Sequence, residues 1–296
     1  MSEGKILILG ATGMLGHVMW QRLSQVFPDT FATIRHERRE YRRFGIFEHG
    51  NIISGVDALE KDVVRGVLKG LRPAFVINCI GVTKRYITDA NVTECICLNT
   101  ELPHRLAQWC KPLGTRVLTF STDCVFDGTR GNYKDTDSTN ATDIYGKTKA
   151  LGELRYENTL TIRSSFIGRE LQNGTELLEW FLSQDGKQVS GFRKAMYSGI
   201  TTLEMSRVVV DIIRNHSHLY GLYNVSGQKI SKYDLLEKIR NHFDVDIDVV
   251  ADDSVVCDRS LDSSEFRKIT GYEPPEWDAA LKELAEVAAT YNALKV

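Results

Sequence analysis

Short apolar runs alternate with longer segments of helical periodicity through the first half of the 296-residue chain. The runs are rich in Ile, Leu, Val and Phe, which is typical of strands buried on both faces of a sheet. Strands are predicted at residues 5–9, 30–34, 74–78, 116–120 and 160–162, and helices at residues 14–26, 58–69, 91–111 and 144–157. This alternation predicts an α/β fold with a doubly wound parallel sheet that carries helices on both faces.

The alternation becomes less regular after about residue 165, where four glycines interrupt the mixed polar segment 169–200. The later apolar patterns predict, in chain order, a helix at 202–215, a strand at 221–225, a helix at 232–243 behind the N-cap Ser231, a strand at 246–250 and a last helix at 276–292. We expect the strand at 221–225 to return to the main sheet.

The bulk composition excludes several functional classes. Hydrophobic residues make up 42% and charged residues 26% of the chain, and the net charge of −2 predicts no broad attraction to nucleic acid or to a membrane. No apolar stretch approaches the roughly 20 residues needed to cross a bilayer. The first strand pattern begins at residue 5, which leaves no space for a signal peptide, so we expect a cytoplasmic protein.

The six cysteines do not have the spacing of a zinc site, and we predict no metal centre. Cys95 and Cys97 are separated by a single residue, which is closer than the usual pair of zinc ligands. Three of the six cysteines lie in apolar or helical segments. Reduced and mostly buried thiols are therefore the simplest interpretation.

A glycine-rich turn follows the first strand, at the position where Rossmann-type sheets bind dinucleotides. The turn consists of Gly10, Ala11, Thr12, Gly13, Met14, Leu15 and Gly16. Glycine allows a close approach of the backbone, and the N-terminus of the following helix attracts a pyrophosphate. A tight turn alone would also explain the glycines. Its place at residue 10 of a chain with alternating strands and helices favours dinucleotide binding.

The end of the second strand indicates which dinucleotide is bound. Sites that prefer NAD usually offer a carboxylate there, whereas this chain reads Arg35-His36-Glu37-Arg38-Arg39. Arg35 is the best-placed partner for a 2′-phosphate, so NADPH is favoured and NADH stays possible. A solvated charged loop is the alternative interpretation, and Glu37 is compatible with it.

Two further segments are predicted to contact the cofactor. Asp57 follows an apolar segment and precedes a helix, so it either reaches the adenine amino group or caps that helix. The second segment comprises Asn78, Cys79, Ile80 and Gly81 and ends the strand at 74–78. Its backbone is expected to run beside the nicotinamide ribose and the phosphates.

A tyrosine and a lysine, Tyr145 and Lys149, lie four residues apart in a predicted helix and share one of its faces. An ammonium near a phenol favours the ionised phenol, which can transfer a proton while a nicotinamide transfers a hydride. Ser121-Thr122-Asp123 ends the strand at 116–120, where a hydroxyl can polarise a substrate carbonyl. An ordinary exposed helix pair is the alternative for Tyr145 and Lys149, but it leaves the accompanying glycine turn unexplained.

Together these motifs resemble the extended short-chain dehydrogenases/reductases, and within them the dTDP-4-dehydrorhamnose reductase branch of sugar-nucleotide reductases. The resemblance covers most of the N-terminal two-thirds and rests on the stretches Gly10–Gly16, Ser121–Gly128 and Tyr145–Glu153. It implies that Thr122, Tyr145 and Lys149 form a catalytic trio. Cys124 departs from the family, which commonly has an aromatic residue there.

Substrate contacts are predicted beside the catalytic strand end and in the C-terminal part of the chain. Arg193 belongs to a glycine-rich, basic and aromatic loop suited to a diphosphate and a base, and Arg259 adds a second basic position. Solvated surface charge is the alternative for both arginines. By resemblance, these stretches lie where the family holds its nucleotide sugar. The predicted substrate contacts are Thr122, Asp123, Cys124, Val125, Arg193, Tyr197 and Arg259.

These inferences predict a Rossmann-type cofactor domain over residues 1–165 and a smaller C-terminal substrate-binding lobe over residues 166–296, with segments at about 200–226 returning to the first domain. The expected reaction is the NADPH-dependent reduction of a nucleoside-diphosphate 4-keto-6-deoxy sugar. A 4,6-dehydratase is disfavoured, because Cys124 stands where the Thr-Asp-Glu pattern of those enzymes has its glutamate. By resemblance, a homodimer is expected.

Three alternatives remain open at the level of sequence. The protein could be a nucleotide-sugar epimerase, although Arg35 argues against it, or a reductase that acts at another ring position. It could also be a non-catalytic NADP-binding regulatory subunit, because the reductase branch resembles the regulatory subunit of methionine adenosyltransferase.

Overall fold

The structure is a computed structural model in which residues 4–288 and Tyr291 are described. Short strands dominate the core of this part of the chain. In chain order the strands are β1 (Ile6–Leu9), β2 (Thr30–Thr33), β3 (Asn51–Ile53), β4 (Phe75–Asn78), β5 (Arg116–Ser121), β6 (Thr159–Arg163), β7 (Phe166–Ile167), β8 (Gln188–Phe192), β9 (Ala195–Tyr197), β10 (Ile200–Thr201), β11 (Gly221–Asn224), β12 (Ile230–Ser231), β13 (Asp248–Asp252) and β14 (Cys257–Asp258).

Helices connect most of these strands. In chain order they are α1 (Met14–Val26), α2 (Lys61–Leu71), α3 (Val92–Ile96), α4 (Leu102–Cys110), α5 (Ile144–Leu151), α6 (Leu177–Leu182), α7 (Thr202–Asn215), α8 (Lys232–Phe243), α9 (Ser264–Thr270) and α10 (Trp277–Glu286). A π-helical turn, Cys97–Glu101, joins α3 to α4. The predicted helix at 91–111 therefore changes its hydrogen-bonding pattern in the middle.

Seven strands form one parallel sheet in the order β11-β6-β5-β4-β1-β2-β3. All four residues of β1 are buried, because β1 lies in the middle of the sheet and is covered on both faces. The order reverses beside β1, which pairs with β4 on one side and with β2 on the other. The predicted doubly wound parallel sheet is confirmed, and its reversal point is where such sheets bind ligands.

Apolar side chains cover both faces of this sheet. On one face Ile8 packs with Met19 of α1 and Val209 of α7, and on the other Leu7 packs with side chains of α2 and α4. Helix α7 lies against α1, and β11 pairs with β6. The segment 202–224 therefore returns to the main sheet, as its pattern predicts.

Three small sheets form a second region, which we call the small-sheet region. Their strand orders are β10-β7, β12-β9-β14 and β13-β8. A second apolar core unites this region, with Phe181 of α6, Leu235 of α8 and Leu281 of α10 among its buried side chains. Trp277 belongs to this core, and its indole donates a hydrogen bond to the Gln228 carbonyl at 2.8 Å.

Several boundaries differ from the predictions. Helix α5 ends at Leu151 rather than at 157, with Gly152 as its C-cap. A Cβ at Gly152 would lie 2.0 Å from the Asn99 carbonyl oxygen in the π-helical turn. Strand β13 covers 248–252 rather than 246–250. The predicted last helix at 276–292 is present as α10, and residues 289, 290 and 292 lie outside the described part.

Candidate active site

The glycine turn after β1 has the geometry of an anion-binding loop. Gly10 adopts a φ of +79°, a left-handed conformation that glycine tolerates, and its amide donates to the Thr33 hydroxyl at 3.2 Å. A Cβ at Gly16 would lie 2.0 Å from the Gly10 carbonyl oxygen, so the loop and α1 can pack this closely only with glycine there. These contacts fold the turn tightly against the start of α1.

The N-terminus of α1 faces the same turn without a side chain to cap it. Gly13 occupies the N-cap position, and a Cβ there would meet only the Gly10 carbonyl oxygen, at 3.6 Å. Free amide groups at an open helix N-terminus fit a pyrophosphate. Thr12 and Met14 are half-buried at the edge of this site, whereas Leu15 is buried beneath it.

The two cofactor residues predicted near the adenosine end, Arg35 and Asp57, bind each other. The Arg35 guanidinium contacts one Asp57 carboxylate oxygen through Nε at 2.9 Å and through Nη2 at 2.8 Å. The other carboxylate oxygen accepts a hydrogen bond from the Leu59 amide at 3.0 Å. Because Glu60 is the N-cap of α2, the expectation that Asp57 caps that helix is wrong. About half of the Arg35 side chain is exposed, at 51%, which leaves its guanidinium accessible.

The segment after β4 is fixed by a residue that the sequence analysis missed. Asn99, in the π-helical turn, accepts a hydrogen bond from the Val82 amide at 2.9 Å and donates one to the Val82 carbonyl at 3.0 Å. Asn78 contributes a second anchor, because its side-chain oxygen accepts from the Ile80 amide at 3.2 Å. A buried asparagine within an apolar helical pattern was the available signal for Asn99.

The Lys149 side chain reaches from α5 towards this segment. Its ammonium donates to the Phe120 carbonyl at 2.6 Å, and a Cβ at Gly81 would lie 3.8 Å from Nζ. Burial lowers the pKa of Lys149 to about 8, and the Glu153 carboxylate opposes this change. Asp143 caps α5 by accepting a hydrogen bond from the Gly146 amide at 2.8 Å. The structure therefore places Lys149 between the ends of β4 and β5.

The phenol of Tyr145 lies beside the residues that follow β5. Burial raises its pKa, the Cys124 thiol adds to the rise, the Thr122 hydroxyl opposes it, and the carboxylates of Asp123 and Glu176 raise the pKa further. The expectation that Lys149 lowers this pKa is not met, because burial dominates and the ammonium is directed to a backbone carbonyl. The phenol is therefore protonated at neutral pH.

The turn after β5 brings three predicted substrate residues together. The Thr122 hydroxyl accepts a hydrogen bond from the Cys124 amide at 3.1 Å and lies 3.2 Å from the Asp123 carboxylate. Burial raises the pKa of Asp123, and the charge of Arg259 opposes this rise. Burial raises the pKa of Cys124 to about 12. Val125 is fully buried in an apolar cluster, so its side chain belongs to the core rather than to the site.

The three substrate residues predicted in the C-terminal part have different surroundings. Arg193 is exposed and forms a two-pronged pair with Asp253, at 2.8 and 2.7 Å, and the structure does not bring it together with the three predicted catalytic residues. Arg259 donates a hydrogen bond to the Phe126 carbonyl at 2.8 Å, and its positive charge opposes the rise in the pKa of Asp123. Tyr197 is buried, and its hydroxyl makes no well-formed hydrogen bond among the described residues.

A buried ion pair supports the end of β5, which precedes the predicted catalytic residue Thr122. The Arg163 guanidinium, at the end of β6, contacts the two Glu153 carboxylate oxygens at 2.8 and 2.7 Å. The Ser121 hydroxyl donates to the same carboxylate at 2.7 Å. This pair ties the end of α5 to β5 and β6, so it holds Tyr145 and Thr122 on one rigid support.

A Rossmann-type parallel sheet with a glycine turn after β1 and a Thr–Tyr–Lys set after β5 defines a protein of the extended short-chain dehydrogenase/reductase class. The RmlD substrate binding domain family matches residues 4–290, and the chain belongs to this family.

Two curated relatives illustrate the range of similarity. The dTDP-4-dehydrorhamnose reductase of Aggregatibacter actinomycetemcomitans is 25% identical over 311 residues, which cover 96% of this chain and 99% of that protein. The methionine adenosyltransferase 2 subunit beta of Danio rerio is 28% identical over 150 residues, which cover 50% of this chain and 42% of the subunit. The match to the reductase therefore extends over the whole length, whereas the match to the subunit covers half of this chain.

A solved structure supports the fold. The dTDP-4-dehydrorhamnose reductase of Bacillus anthracis, in complex with NADP, superimposes with a TM-score of 0.77 and covers 95% of this chain and 98% of its own. Its sequence identity of 20% makes this a likeness of fold. In the described residues, no helix is long and apolar enough to cross a membrane. Across residues 4–288 and Tyr291, no group of three or more His, Cys, Asp or Glu side chains is placed to hold a metal ion.

Proposed function

We propose that this protein is an NADPH-dependent reductase of a dTDP-linked 4-keto-6-deoxy sugar, which supplies deoxysugar precursors. One observation carries the proposal: Tyr145 and Thr122 converge at the end of β5, and Lys149 faces the segment after β4 beside them. Membership of the RmlD substrate binding domain family supports the substrate class, as does the full-length relative that reduces dTDP-4-dehydrorhamnose by name.

The residues around the sheet reversal fit a bound NADPH. The glycine turn and the start of α1 would hold the pyrophosphate, and the backbone of Asn78, Cys79, Ile80 and Gly81 would lie along the nicotinamide half. Arg35 would exchange its Asp57 partner for the 2′-phosphate, because a guanidinium binds phosphate in two-pronged geometry. When bound, NADPH supplies the hydride that the reduction requires.

The catalytic side chains handle the proton and the oxygen of the substrate. Tyr145, protonated because of its raised pKa, donates its proton to the oxygen of the reduced carbonyl. The Thr122 hydroxyl donates a hydrogen bond to the same oxygen and orients it. The ammonium of Lys149 is held by the Phe120 carbonyl, near Gly81, where ribose hydroxyls are its proposed partners. Among the predicted substrate contacts, Asp123, Tyr197 and Arg259 then surround the sugar.

The assignment of domains and compartment also remains a proposal. We assign residues 1–165 to cofactor binding and residues 166–296 mostly to substrate binding, with the segment at about 200–226 in the first domain. The pairing of β11 with β6 supports this division. The six cysteines are free, which is compatible with a cytoplasmic setting. A homodimer stays a prediction.

The decisive experiment measures NADPH consumption by the purified protein against 4-keto-6-deoxy sugars linked to dTDP, GDP, UDP or CDP. We expect consumption with the dTDP-linked sugar and slower consumption with NADH. Tyr145→Phe provides the inactive control, since it retains the ring and removes the proton donor. Consumption only with another nucleotide would correct the substrate, and full turnover by Tyr145→Phe would contradict the proton-donor role.

A second candidate is a non-catalytic NADP-binding regulatory subunit. The match to methionine adenosyltransferase 2 subunit beta over half of the chain favours it. This candidate predicts tight NADPH binding without consumption of any sugar in the panel. It also predicts a change in the activity of a methionine adenosyltransferase catalytic subunit when the protein is added, which the reductase proposal does not.

A further inference from the structure

His17 lies one turn after the start of α1, and its side chain is fully buried. Nδ1 lies 2.8 Å from the Gly13 carbonyl oxygen, and Nε2 lies 2.6 Å from the Tyr291 hydroxyl. Burial lowers the pKa of His17 to about 4, so the imidazole is neutral at pH 7. Because a carbonyl oxygen can only accept a hydrogen bond, Nδ1 carries the ring proton and Nε2 accepts from the phenol.

The Gly13 carbonyl receives two hydrogen bonds from this one residue. The His17 amide donates to it at 3.1 Å, and the imidazole adds the second bond at 2.8 Å. The same peptide group ends in the Met14 amide, which lies in the first turn of α1, where amides have no partner within the helix. Donors to a carbonyl polarise its peptide group and strengthen the amide as a donor. His17 therefore orients and polarises one of the peptide groups proposed to bind the pyrophosphate.

The Tyr291 phenol fixes the other side of the imidazole and is itself held by a buried ion pair. The two rings meet edge to face, with their centroids 5.4 Å apart. The guanidinium carbon of Arg169 lies 5.3 Å from the centroid of the phenol ring. Arg169 Nε donates to the Glu179 carboxylate at 2.6 Å, and the Glu170 amide donates to the same oxygen at 3.1 Å. All these side chains are buried, so solvent does not weaken the contacts.

These contacts join parts of the chain that are remote in sequence. His17 belongs to α1, Glu179 belongs to α6 in the small-sheet region, and Tyr291 follows α10. The glycine turn is thus connected, through an imidazole, a phenol and an ion pair, to the region proposed to bind the sugar. A purely structural cluster would stabilise the fold without changing the affinity of the folded protein for NADPH, so the two roles can be separated.

We propose that His17 is a positioning residue for the pyrophosphate turn and that Tyr291, held by Arg169, fixes its orientation. The imidazole keeps the Gly13–Met14 peptide group aligned with the proposed phosphate site, and the phenol keeps Nδ1 directed at the Gly13 carbonyl. The affinity for NADPH then depends on a hydrogen bond between residues 274 positions apart. The proposal rests on the cofactor site of the proposed function, and it adds residues that do not contact the ligand themselves.

Two substitutions of His17 separate its two contacts. His17→Asn places an amide nitrogen near the Nδ1 position and retains a donor to the Gly13 carbonyl. His17→Gln retains a polar atom near the Nε2 position and loses that donor. Tyr291→Phe removes only the phenol hydroxyl. His218→Gln and Tyr220→Phe are the matched controls, because both residues are exposed.

Titrations at pH 7 test the proposal without requiring turnover. The probes are NADPH, followed by its fluorescence, and adenosine 2′-monophosphate, which carries the 2′-phosphate but no pyrophosphate and is followed by calorimetry. We expect His17→Gln to weaken NADPH binding about three- to tenfold, as the loss of one hydrogen bond predicts. Tyr291→Phe should weaken it about threefold, and His17→Asn should lie between His17→Gln and the wild type. The affinity for adenosine 2′-monophosphate should stay unchanged.

Steady-state kinetics provide a second measurement that a purely structural role would not change. The KM for NADPH should rise in the same order among the variants. The kcat at saturating NADPH should stay near the wild-type value, because Thr122, Tyr145 and Lys149 are unaltered.

Equal weakening of both probes would overturn the proposal, because His17 would then act on the fold of the whole cofactor site. Equal losses in His17→Asn and His17→Gln would assign the effect to the missing ring rather than to the Gly13 contact, and would reject the proposal too. Tyr291→Phe carries the test if a His17 variant does not fold, and wild-type NADPH affinity in this variant would contradict the orienting role of the phenol.

The outcomes also separate this proposal from the proposed function. Turnover of a keto sugar, with NADPH affinities that the substitutions leave unchanged, would retain the reductase and reject the positioning role. Selective weakening of NADPH binding without turnover of any keto sugar would retain the positioning role and reject the reductase. Failure of the wild-type protein to bind NADPH would reject both.

Discussion

Two arginine–carboxylate pairs lie at different strands of the same parallel sheet, one beyond β2 and one at the ends of β5 and β6. They differ in how far their side chains are exposed to solvent. Arg35 and Asp57, beyond β2, have side chains that are 51% and 31% exposed. Arg163 and Glu153, beneath the end of β5, are 1% and 9% exposed, and Ser121 adds a third hydrogen bond. The first pair is open to a competing anion, whereas the second is enclosed by protein.

This difference in exposure predicts different roles for the two pairs. An exposed pair contributes little to stability, so a phosphate can replace its carboxylate at low cost. A buried pair has lost its hydration, and removing either partner leaves an uncompensated charge. The side of the sheet at β2 is therefore suited to exchange partners with a cofactor, and the side at β5 and β6 is suited to hold catalytic groups still.

The largest effect is expected on the enclosed side, at Tyr145. We expect Tyr145→Phe to lower kcat by about 10²- to 10⁴-fold, because the proton donor is lost while the ring that fills the site remains. Binding of NADPH, measured by fluorescence titration, should change little. Tyr220→Phe is the control, since Tyr220 is an exposed tyrosine. Comparable rates for the two variants would place the proton donor elsewhere.

The two pairs themselves can be compared by matched substitutions. Glu153→Gln should lower the free energy of unfolding by about 3–5 kcal/mol, because it leaves the buried Arg163 charge without its counterion. Asp57→Asn should lower it by no more than about 1 kcal/mol, as is typical of exposed pairs. Urea denaturation measures both. Similar losses would show that the burial of the two pairs does not control their contribution to stability.

His17, which connects the glycine turn to the end of the chain, should make stability depend on pH. It is fully buried between the Gly13 carbonyl at 2.8 Å and the Tyr291 hydroxyl at 2.6 Å, and burial lowers its pKa from 6.5 to about 4. The unfolded chain then binds a proton at a higher pH than the folded chain does. Stability is therefore full above pH 6.5 and falls as the pH decreases towards 4.

This contribution amounts to about 3 kcal/mol over that range of pH. His17→Gln removes the titrating group. We expect the difference in free energy of unfolding between wild type and variant to decrease from pH 7 to pH 4 in urea denaturation. A constant difference would mean that the His17 pKa is the same in the folded and unfolded chains.

The smallest effect is expected at the exposed Arg35–Asp57 pair, where substitutions should change the preference for NADPH over NADH. Arg35→Ala should weaken NADPH binding about tenfold, as the loss of one charged hydrogen-bonded contact predicts, and leave NADH binding nearly unchanged. Asp57→Ala should leave NADPH binding intact or strengthen it, because it frees the guanidinium. The ratio of the two dissociation constants is the measurement. Equal weakening of both cofactors by Arg35→Ala would assign Arg35 to the fold.

The elements that were predicted well have strong local patterns. The bounds of α1, α7 and α8 agree with the predicted helices at 14–26, 202–215 and 232–243, because each has an apolar face and a clear start. Strand β3 was missed, because three residues of mixed character produce no periodicity. The π-helical turn was missed because five residues within a longer apolar helical pattern do not stand out from the helices on either side.

The residues of the candidate site likewise form two groups, one that the sequence identifies and one that it does not. The glycine turn and the Tyr145–Lys149 spacing are short motifs, so they could be identified without a structure. The Arg35–Asp57 pair joins residues 22 positions apart, and the contact of Thr83 with Glu176 spans 93 positions. No local pattern indicates such partners, because they meet only after the strands have been ordered in the sheet.

The sequence by itself determined the fold class and the place of the glycine turn, since these depend on local periodicity and motif spacing, and the family resemblance implied the trio of Thr122, Tyr145 and Lys149. Only the tertiary structure decided that burial raises the pKa of Tyr145, that Lys149 is directed to the Phe120 carbonyl and that Glu176 accepts a hydrogen bond from Thr83. The physical reason is that burial and electrostatic interactions depend on every segment packed around a group, including segments far away in the chain.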